Sequence, residues 1–248
     1  MASATVPASA IDSFVEHGFA VVDLLTEAQH QGLSALVLAR LHELAANERE
    51  AQPFRLTKLA DYHRLDVPAD VHGRLLSGKQ RFLRLSVEHE RPFLGEAVAP
   101  MMDAAWGQHA VASVKRVDLD GRLVDHQCGF RVVRPGTADA TLPHTDSDDG
   151  VFKMITVWTP IVGFDSRYSL KVFPGTHKLR HPSSAIVKNE RLAALPYADE
   201  YVRQFSWVRP ELRPGQAIVF HNELLHGSAD NLGDETRVSL EVRLFGQA

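Results

Sequence analysis

Apolar and polar residues follow two different periods along this chain, and the change falls near residue 110. In the first part, apolar residues recur at three- and four-residue steps, which is typical of helices that pack one face on a core. The clearest case follows Thr26, a favourable N-cap residue, and we predict a helix from there to about Asn47. Its predicted buried face consists of Leu33, Leu36, Val37, Leu41 and Leu44.

Shorter elements flank this helix. The sequence predicts a helix over residues 7–17 that stops at Gly18, then a brief strand at "FAVVDLL". A further helix is predicted over residues 92–106, whereas residues 50–84 show no regular period and are mildly basic. The first hundred residues are therefore predicted to be mainly helical.

After about residue 110, short runs with the composition of strands follow one another, separated by Gly, Pro, Asp and Asn. The predicted strands are "VASVKRVDL", "GFRVVRPG", "FKMITVWTPIV", "SLKVFPG", "YVRQFSWV", "QAIVFH" and "TRVSLEVRLF". Many short strands without intervening helices favour an antiparallel sandwich or barrel. Because no repeat or low-complexity linker interrupts the chain, we predict one α+β domain over residues 1–248, helical to about residue 108 and mainly β over residues 109–248.

Composition excludes several classes of protein. The net charge of −4 provides no basic field for a nucleic acid, and no run of 18 apolar residues could span a membrane. Cys128 is the single cysteine, which excludes a disulfide within the chain and fits a reducing compartment. With no signal peptide evident at the N-terminus, these features predict a soluble cytoplasmic protein that acts on a small molecule.

The stretch "LPHTDSDDG" carries the first candidate chemistry. His144 and Asp146 are separated by one residue, and on an extended segment such residues point to the same side. An imidazole nitrogen and a carboxylate oxygen could then converge on one metal ion. A third ligand must come from further along the chain, and the candidates are His177, His181, His221 and His226.

Two features favour His226 as the third ligand. It follows a turn and a predicted strand, in a polar loop where a β-scaffold would place a metal. Arg237 lies eleven residues later (237 − 226 = 11), a spacing that allows a return strand to bring a guanidinium beside the metal. Arginine pairs well with the carboxylate of an organic co-substrate. Two histidines and one carboxylate with open positions suit Fe(II) oxygenases.

Other interpretations of these motifs are weaker. Taken alone, His144 and Asp146 would be no more than a polar turn. A calcium loop that starts at Asp146 fails, because its fifth position is Gly150 and its twelfth is Val157. The "HNELLH" motif fails as a helical zinc site, because its histidines are five residues apart rather than four. Asp148 and Asp149 are then predicted at the rim of the pocket.

The set of His144, Asp146, His226 and Arg237 resembles the Fe(II)/2-oxoglutarate-dependent oxygenases, and more narrowly their phytanoyl-CoA hydroxylase-like branch. Three longer stretches are similar to that branch as well: "SFVEHGFAVVDLLT", "VFPGTHKLRH" and "IVFHNELLHGSADN". The resemblance covers most of the chain and is weakest over residues 48–110. It implies a double-stranded β-helix (jelly-roll, cupin-like) core with flanking N-terminal helices.

The resemblance also implies roles for individual residues. The iron ligands would be His144, Asp146 and His226. Three further residues would bind 2-oxoglutarate, namely Arg237 at its C5 carboxylate, Ser228 beside that carboxylate, and Trp158 as a wall of the pocket. The upstream lysine of some relatives has no clear counterpart, and the alternatives are Arg131, Arg134 and Lys153.

The implied activity is that of a dioxygenase that uses Fe(II), 2-oxoglutarate and dioxygen. Such an enzyme would hydroxylate a small polar substrate or close a ring in it, and tailoring of a sugar-containing antibiotic is the preferred substrate hypothesis. Asp146 argues against halogenation, because halogenating relatives have a small residue at that position. The alternatives are a cupin-like metal- or sugar-binding protein without turnover, and a metal hydrolase or isomerase that needs no 2-oxo acid.

Overall fold

A computed structural model describes residues 7–48, 54–76, 82–84, 98–107, 111–112, 116–117, 123–124, 127–136, 141–146, 153–187, 196–227 and 230–246. Its α-helices are α1 (Ala8–His17), α2 (Glu27–Asn47), α3 (Ala69–Leu75), α4 (Ala99–Trp106) and α5 (Asp199–Val202). Short 3-10 helices cover Leu59–Arg64, Thr176–Lys178 and Ser183–Ala185. None of the described helices is long and apolar enough to cross a membrane.

The described strands form one main antiparallel sheet and two small ones. The strands are β1 (Phe19–Asp23), β2 (Phe82–Arg84), β3 (Val111–Ala112), β4 (Arg116–Val117), β5 (Leu123–Val124), β6 (Gln127–Val133), β7 (Met154–Val162), β8 (Lys171–Val172), β9 (Gln216–His221), β10 (His226–Gly227) and β11 (Arg237–Gly246). The main sheet has seven strands in the order β1-β9-β7-β11-β6-β2, with β3 paired to the end of β11. Strands β8 and β10 form one small sheet, and β4 and β5 the other.

The N-terminal helices begin and end where the sequence predicts. Thr26 caps α2 in a capping box, in which its hydroxyl accepts a bond from the Gln29 N–H and its own N–H donates to the Gln29 side chain. Gly18 ends α1 with a φ of +83°, and an added Cβ there would collide with the ring of His177. The close approach of that ring to the chain therefore requires glycine.

The two faces of the main sheet differ in character. On β11, alternate residues Val238, Leu240, Val242 and Leu244 are buried in the main core with the helices. The intervening residues point to the other face, because side chains alternate along a strand. That face of β11 is polar, and we call it the polar face: Arg237, Ser239, Glu241 and Arg243.

A second hydrophobic cluster lies on the side of the polar face. Ile218 and Phe220 of β9 belong to it, while their neighbours Ala217 and Val219 belong to the main core. The cluster also includes Trp158, Leu170, Val172, Leu212 and Leu224. A pocket is therefore bounded by the polar face on one side and by apolar side chains on another.

One predicted strand, residues 201–208, is wrong. The chain there forms the end of α5 and a turn, and only Val208 makes an isolated bridge, to Val172. Packing explains the difference, because an apolar cluster around Phe173 and Leu225 is covered by three aromatic residues, Tyr197, Tyr201 and Phe205. Their rings pack at centroid distances of 5.4 Å and 5.2 Å.

The remaining differences lie between residues 50 and 119. The segment predicted to lack regular structure contains the 3-10 helix Leu59–Arg64, α3 and the strand β2, which pairs with β6. The helix predicted over residues 92–106 is described only from Ala99 onward, as α4. Of the predicted strand "VASVKRVDL", the described residues are β3 and β4, each two residues long, and the rest lies outside the described residues.

Candidate metal centre and pocket

His144 and His226 are brought together by the backbone. They form an isolated antiparallel bridge, in which the His144 N–H donates to the His226 carbonyl at 2.8 Å and the reverse bond is 2.9 Å long. Gly227 has a φ of +144°, and a Cβ there would press on the backbone of Leu142 and Pro143. This glycine therefore allows the two segments to approach closely enough for the histidines to meet.

The two imidazoles are oriented in the same way. The Nδ1 of His144 lies 2.8 Å from the Leu142 carbonyl, and the Nδ1 of His226 lies 2.9 Å from the Leu224 carbonyl. A carbonyl oxygen only accepts, so Nδ1 carries the proton in each ring and Nε2 carries a lone pair. Hydrogen bonds of this kind fix the tautomer of metal-binding histidines in other proteins.

Both Nε2 atoms face Asp146. Its Oδ1 lies 3.8 Å from Nε2 of His144 and 3.9 Å from Nε2 of His226. The ligand atoms of the three residues all lie within 4.8 Å of one another, and among the described residues no other group of histidine, cysteine and carboxylate side chains does so. Protein ligands lie about 2.0–2.2 Å from a divalent ion, so the histidine–aspartate separations allow one ion to bind both.

The charge states also suit a metal ion. Burial lowers the pKa of His144 to about 4, so this imidazole is neutral at neutral pH, the form that binds metals. Burial alone would raise the pKa of Asp146, but the neighbouring His226 and Arg243 lower it to about 2. The site therefore offers two imidazoles and an ionised carboxylate, a donor set that fits a divalent transition metal.

The carboxylate of Asp146 is held from the sheet. The Thr156 hydroxyl donates to Oδ2 at 2.6 Å, and Nη2 of Arg243 donates to Oδ1 at 2.8 Å. Nη2 of Arg243 also donates to Glu241 at 2.8 Å. Asp146 therefore belongs to a connected set of polar groups that reaches the polar face.

A pocket opens beside the histidines and extends along the polar face. It encloses about 490 Å³, including the part open to solvent. Its lining consists of Arg131, Val133, Thr141, His144, Trp158, Leu170, Phe220, His226, Gly227, Arg237, Ser239 and Glu241. Two predicted co-substrate residues, Arg237 and Trp158, therefore lie in the same pocket as two predicted metal ligands.

Arg237 is a buried cation in this pocket. Only 5 % of it is exposed, and its Nη1 donates to the Tyr168 carbonyl at 3.0 Å. Its burial is that of a pocket residue rather than of a surface side chain. Burial, with Arg131 and Arg209 nearby, lowers the pKa of Arg237 to about 10, so it remains charged at neutral pH.

The other predicted residues have different outcomes. Ser228, Asp148 and Asp149 lie outside the described residues. Of the three alternatives for an upstream contact, Arg131 lines the pocket, whereas Arg134 and Lys153, both described, do not. The remaining candidate histidines lie elsewhere: His177 and His221 pack near α1, and His181 bonds the Tyr201 hydroxyl.

Sequence reasoning missed the residues that support the site, namely Thr156, Ser239, Glu241 and Arg243. One signal could have found three of them, because polar and apolar residues alternate in "RVSLEVRLF". That alternation predicts that Arg237, Ser239, Glu241 and Arg243 share one face of a strand. No comparable signal exists for Thr156, which lies in a strand buried over most of its length.

Comparison with known proteins gives a consistent family. The family model of phytanoyl-CoA dioxygenase (PhyH) matches residues 14–239. No curated protein matches the chain in sequence. Solved structures that share its fold include EctD from S. alaskensis with 2-oxoglutarate and 5-hydroxyectoine, at 15 % identity and a TM-score of 0.60, covering 99 % of this chain and 78 % of EctD.

Two further solved structures, those of SnoK and EvdO2, share the fold. The non-haem α-ketoglutarate-dependent carbocyclase SnoK from nogalamycin biosynthesis is 14 % identical with a TM-score of 0.56, covering 97 % of this chain and 84 % of SnoK. EvdO2 from Micromonospora carbonacea var. aurantiaca, complexed with 2-oxoglutarate, is 17 % identical with a TM-score of 0.56, covering 100 % and 94 %. These likenesses concern the fold. Since the family model spans nearly all of the chain, the protein belongs to the phytanoyl-CoA dioxygenase (PhyH) family.

Proposed function

We propose that this protein is a non-haem Fe(II)/2-oxoglutarate-dependent oxygenase. The observation that carries the proposal is the convergence of His144, Asp146 and His226 beside a pocket that also holds the buried cation Arg237. A metal site alone would also fit a hydrolase or a binding protein. A buried arginine beside the site adds a place for an organic anion, which those alternatives do not need.

In this proposal His144, Asp146 and His226 hold the iron. Bound there, Fe(II) supplies the activation of dioxygen that oxidises both 2-oxoglutarate, giving succinate and CO2, and the substrate. Arg237 binds the C5 carboxylate of 2-oxoglutarate through charge-assisted hydrogen bonds, and Ser228 assists it. Trp158 forms an apolar wall that excludes water from the chain of the co-substrate.

Arg131 is our choice among the three upstream alternatives. It lines the pocket, and its charge lowers the pKa of Arg237, so the two cations repel each other across a common space. A dianion such as 2-oxoglutarate would relieve that repulsion, since each of its carboxylates can face one guanidinium. The presence of two arginines in one pocket, of which Arg237 is buried and Arg131 half-buried, thus favours a dicarboxylate co-substrate over a neutral ligand.

The substrate in this proposal is a small polar molecule that is hydroxylated or closed into a ring. The polar face supplies Ser239 and Glu241 to the pocket and Arg131 of β6 adds a further donor, so the pocket offers both donors and acceptors. The fold is shared with SnoK from nogalamycin biosynthesis, which supports tailoring of a sugar-containing natural product as the preferred class.

We further propose that the β-strands form a double-stranded β-helix within a single domain. The support is that the main sheet and the small sheet of β8 and β10 both contribute to the pocket. Strands β1 and β2 from the helical N-terminal part also pair with the main sheet, which favours one folding unit.

The test is reconstitution under anaerobic conditions. Fe(II) and 2-oxoglutarate should together give a weak visible charge-transfer band that neither gives alone, and admission of oxygen should then produce succinate. Omission of Fe(II) and replacement of 2-oxoglutarate by succinate are the controls. Metal binding without a band or succinate, even with candidate sugar substrates present, would point to a metal-binding protein without this chemistry.

A further inference from the structure

The carboxylate of Asp146 is held at both oxygen atoms. Its side chain is 1 % exposed, and it accepts from Thr156 at Oδ2 and from Arg243 at Oδ1. Oδ1 is also the oxygen that faces both Nε2 atoms of the histidines. The contact of Arg243 therefore falls on the atom through which Asp146 would bind a metal.

The two donors to Asp146 are neighbours in the main sheet. Thr156 of β7 and Arg243 of β11 are directly paired in the antiparallel register. Their side chains therefore leave the same face of the sheet side by side. Asp146 itself lies on neither strand. The register of β7 against β11 therefore fixes the direction of the Asp146 carboxylate from outside its own segment.

Arg243 is itself held in place. Its Nη2 donates to Glu241 Oε1 at 2.8 Å, and the other oxygen of Glu241 lies 3.7 Å from Nε of Arg131. Nη1 of Arg131 in turn donates to the Thr141 hydroxyl at 2.8 Å. Positive and negative side chains thus alternate in the order Arg131, Glu241, Arg243 and Asp146. Within this series, Arg243 is the residue that contacts the predicted metal ligand Asp146.

We propose that Arg243 is a positioning residue, which orients the Asp146 carboxylate toward the metal through the Nη2–Oδ1 hydrogen bond. This inference rests on the metal site of the proposed function. Without Arg243, the hydrogen bond that the described residues still give to the Asp146 side chain is the one from the Thr156 hydroxyl to Oδ2. The carboxylate could then turn about this bond and move Oδ1 away from the histidines. Partners that orient metal ligands typically contribute about 10–100-fold to metal affinity.

The positive charge of Arg243 also repels a divalent cation bound at the site. Removal of Arg243 could therefore strengthen or weaken metal binding, and the direction of the change in metal affinity tests the inference. Orientation should dominate because Oδ1 keeps a lone pair for the metal while it accepts from Arg243. A buried carboxylate that loses its cation is, by contrast, left poorly solvated and poorly directed. Removal of Arg243 should therefore weaken metal binding.

The experiment measures metal binding rather than turnover. Co(II) is titrated into the full-length protein and followed by its visible absorption, for the unmodified protein and for Arg243→Met, Arg243→Lys and Arg74→Met. Arg74→Met is the matched control, because Arg74 also pairs with an aspartate at short range, Asp70 at 2.7 Å, but on the exposed surface. Circular dichroism verifies that each variant is folded.

Arg243→Met should bind Co(II) about 10–100-fold more weakly, with an altered absorption band. Arg243→Lys should lose less, since it keeps the charge and a donor, and it carries the test if Arg243→Met does not fold. Arg74→Met should match the unmodified protein. Equal or tighter binding by both Arg243 variants would overturn the inference. Failure of the unmodified protein to bind Co(II) would instead overturn the proposed function itself.

Discussion

Two pairs of neighbouring histidine rings differ in chemistry, although His221 of one pair and His226 of the other are only five residues apart in sequence (226 − 221 = 5). His144 and His226 have ring centroids 4.4 Å apart, and His177 and His221 have ring centroids 5.3 Å apart. The pairs occupy different sides of the main sheet. Phe220, which packs on His226, and His221 are consecutive in β9 and so point to opposite faces.

The surroundings of the second pair are aromatic. The ring of His221 lies 4.6 Å from that of Trp106 and 6.3 Å from that of Phe14. Its Nδ1 accepts from the Glu223 N–H at 3.1 Å, so the proton is on Nε2, the reverse of the arrangement in His144 and His226. No carboxylate of the described residues joins this pair in a metal-binding group.

Proximity of two imidazoles therefore does not by itself create a metal site. The first pair has a carboxylate between its Nε2 atoms and a backbone carbonyl behind each Nδ1. The second pair has neither feature and serves the packing of α1 and α4 on the sheet. The chemistry therefore depends on Asp146 and on the tautomer, more than on the histidines themselves.

The largest expected effect comes from removal of that carboxylate. Asp146→Ala should weaken Fe(II) or Co(II) binding by more than about 100-fold, since loss of a partner behind a ligand already costs about 10–100-fold. Succinate formation should disappear with it. Metal titration and a succinate assay are the measurements, with Asp146→Asn as a control that keeps the volume. Full activity of Asp146→Ala would remove the residue from the site.

The next effect tests the far end of the polar face. Arg237→Leu should raise the 2-oxoglutarate concentration needed for half-maximal rate by about 10–100-fold, because a charge-assisted pair contributes about 1.5–3 kcal/mol. Metal affinity should stay the same, which distinguishes this variant from Asp146→Ala. The measurement is succinate formed against 2-oxoglutarate concentration, and an unchanged dependence would mean that Arg237 does not bind the co-substrate.

A smaller effect is expected in the second histidine pair. His221→Leu should lower the free energy of unfolding by about 1–2 kcal/mol, because the Glu223 N–H loses its acceptor in a largely buried position. Co(II) affinity should be unchanged. Urea unfolding measures the free energy of unfolding, and metal titration of the same preparation measures the Co(II) affinity. A loss of metal affinity as large as that of Asp146→Ala would show that the two pairs are not functionally distinct.

The smallest effect concerns acid. Burial, with a contribution from His177, lowers the pKa of His221 from 6.5 to about 3. Between these values the unfolded chain binds more protons, so the stability contributed by neutral His221 is complete above pH 6.5 and is lost as the pH falls toward 3.

His221→Leu should therefore lose less stability than the unmodified protein on going from pH 7.5 to pH 5.5, by about 1 kcal/mol. Urea unfolding at both pH values, with a chelator present, measures the difference. Parallel losses in the two proteins would mean that His221 titrates normally in the fold.

Much of the fold follows from local patterns. The capping box at Thr26, the stop at Gly18 and the alternation in β11 are set by neighbouring residues, so the sequence predicts α1, α2 and β11 correctly. The prediction of a strand over residues 201–208 is wrong, because it relies on their β-branched and aromatic composition alone. Strand β2 has three residues and exists through its pairing with β6, which no local pattern reveals.

For the candidate site too, some features follow from the sequence and others from the tertiary structure. The residue types, the His144–Asp146 spacing and the eleven residues from His226 to Arg237 are properties of the sequence, and they were sufficient to predict which side chains would come together. The family was predicted from the same residues and is confirmed by the match over residues 14–239.

Only the tertiary structure decided how those side chains are held. The imidazoles of His144 and His226 donate to the carbonyls of Leu142 and Leu224, which depends on the exact bend of each loop. Thr156 and Arg243 donate to Asp146 across 10 and 97 residues of the chain, which depends on how the strands are placed beside it. That Arg131 lines the pocket, whereas Arg134 and Lys153 do not, is of this kind too. Sequence periodicity determines which face of a strand a residue occupies. The partner that it meets there depends on strand register and loop path, which arise from the packing of the whole chain.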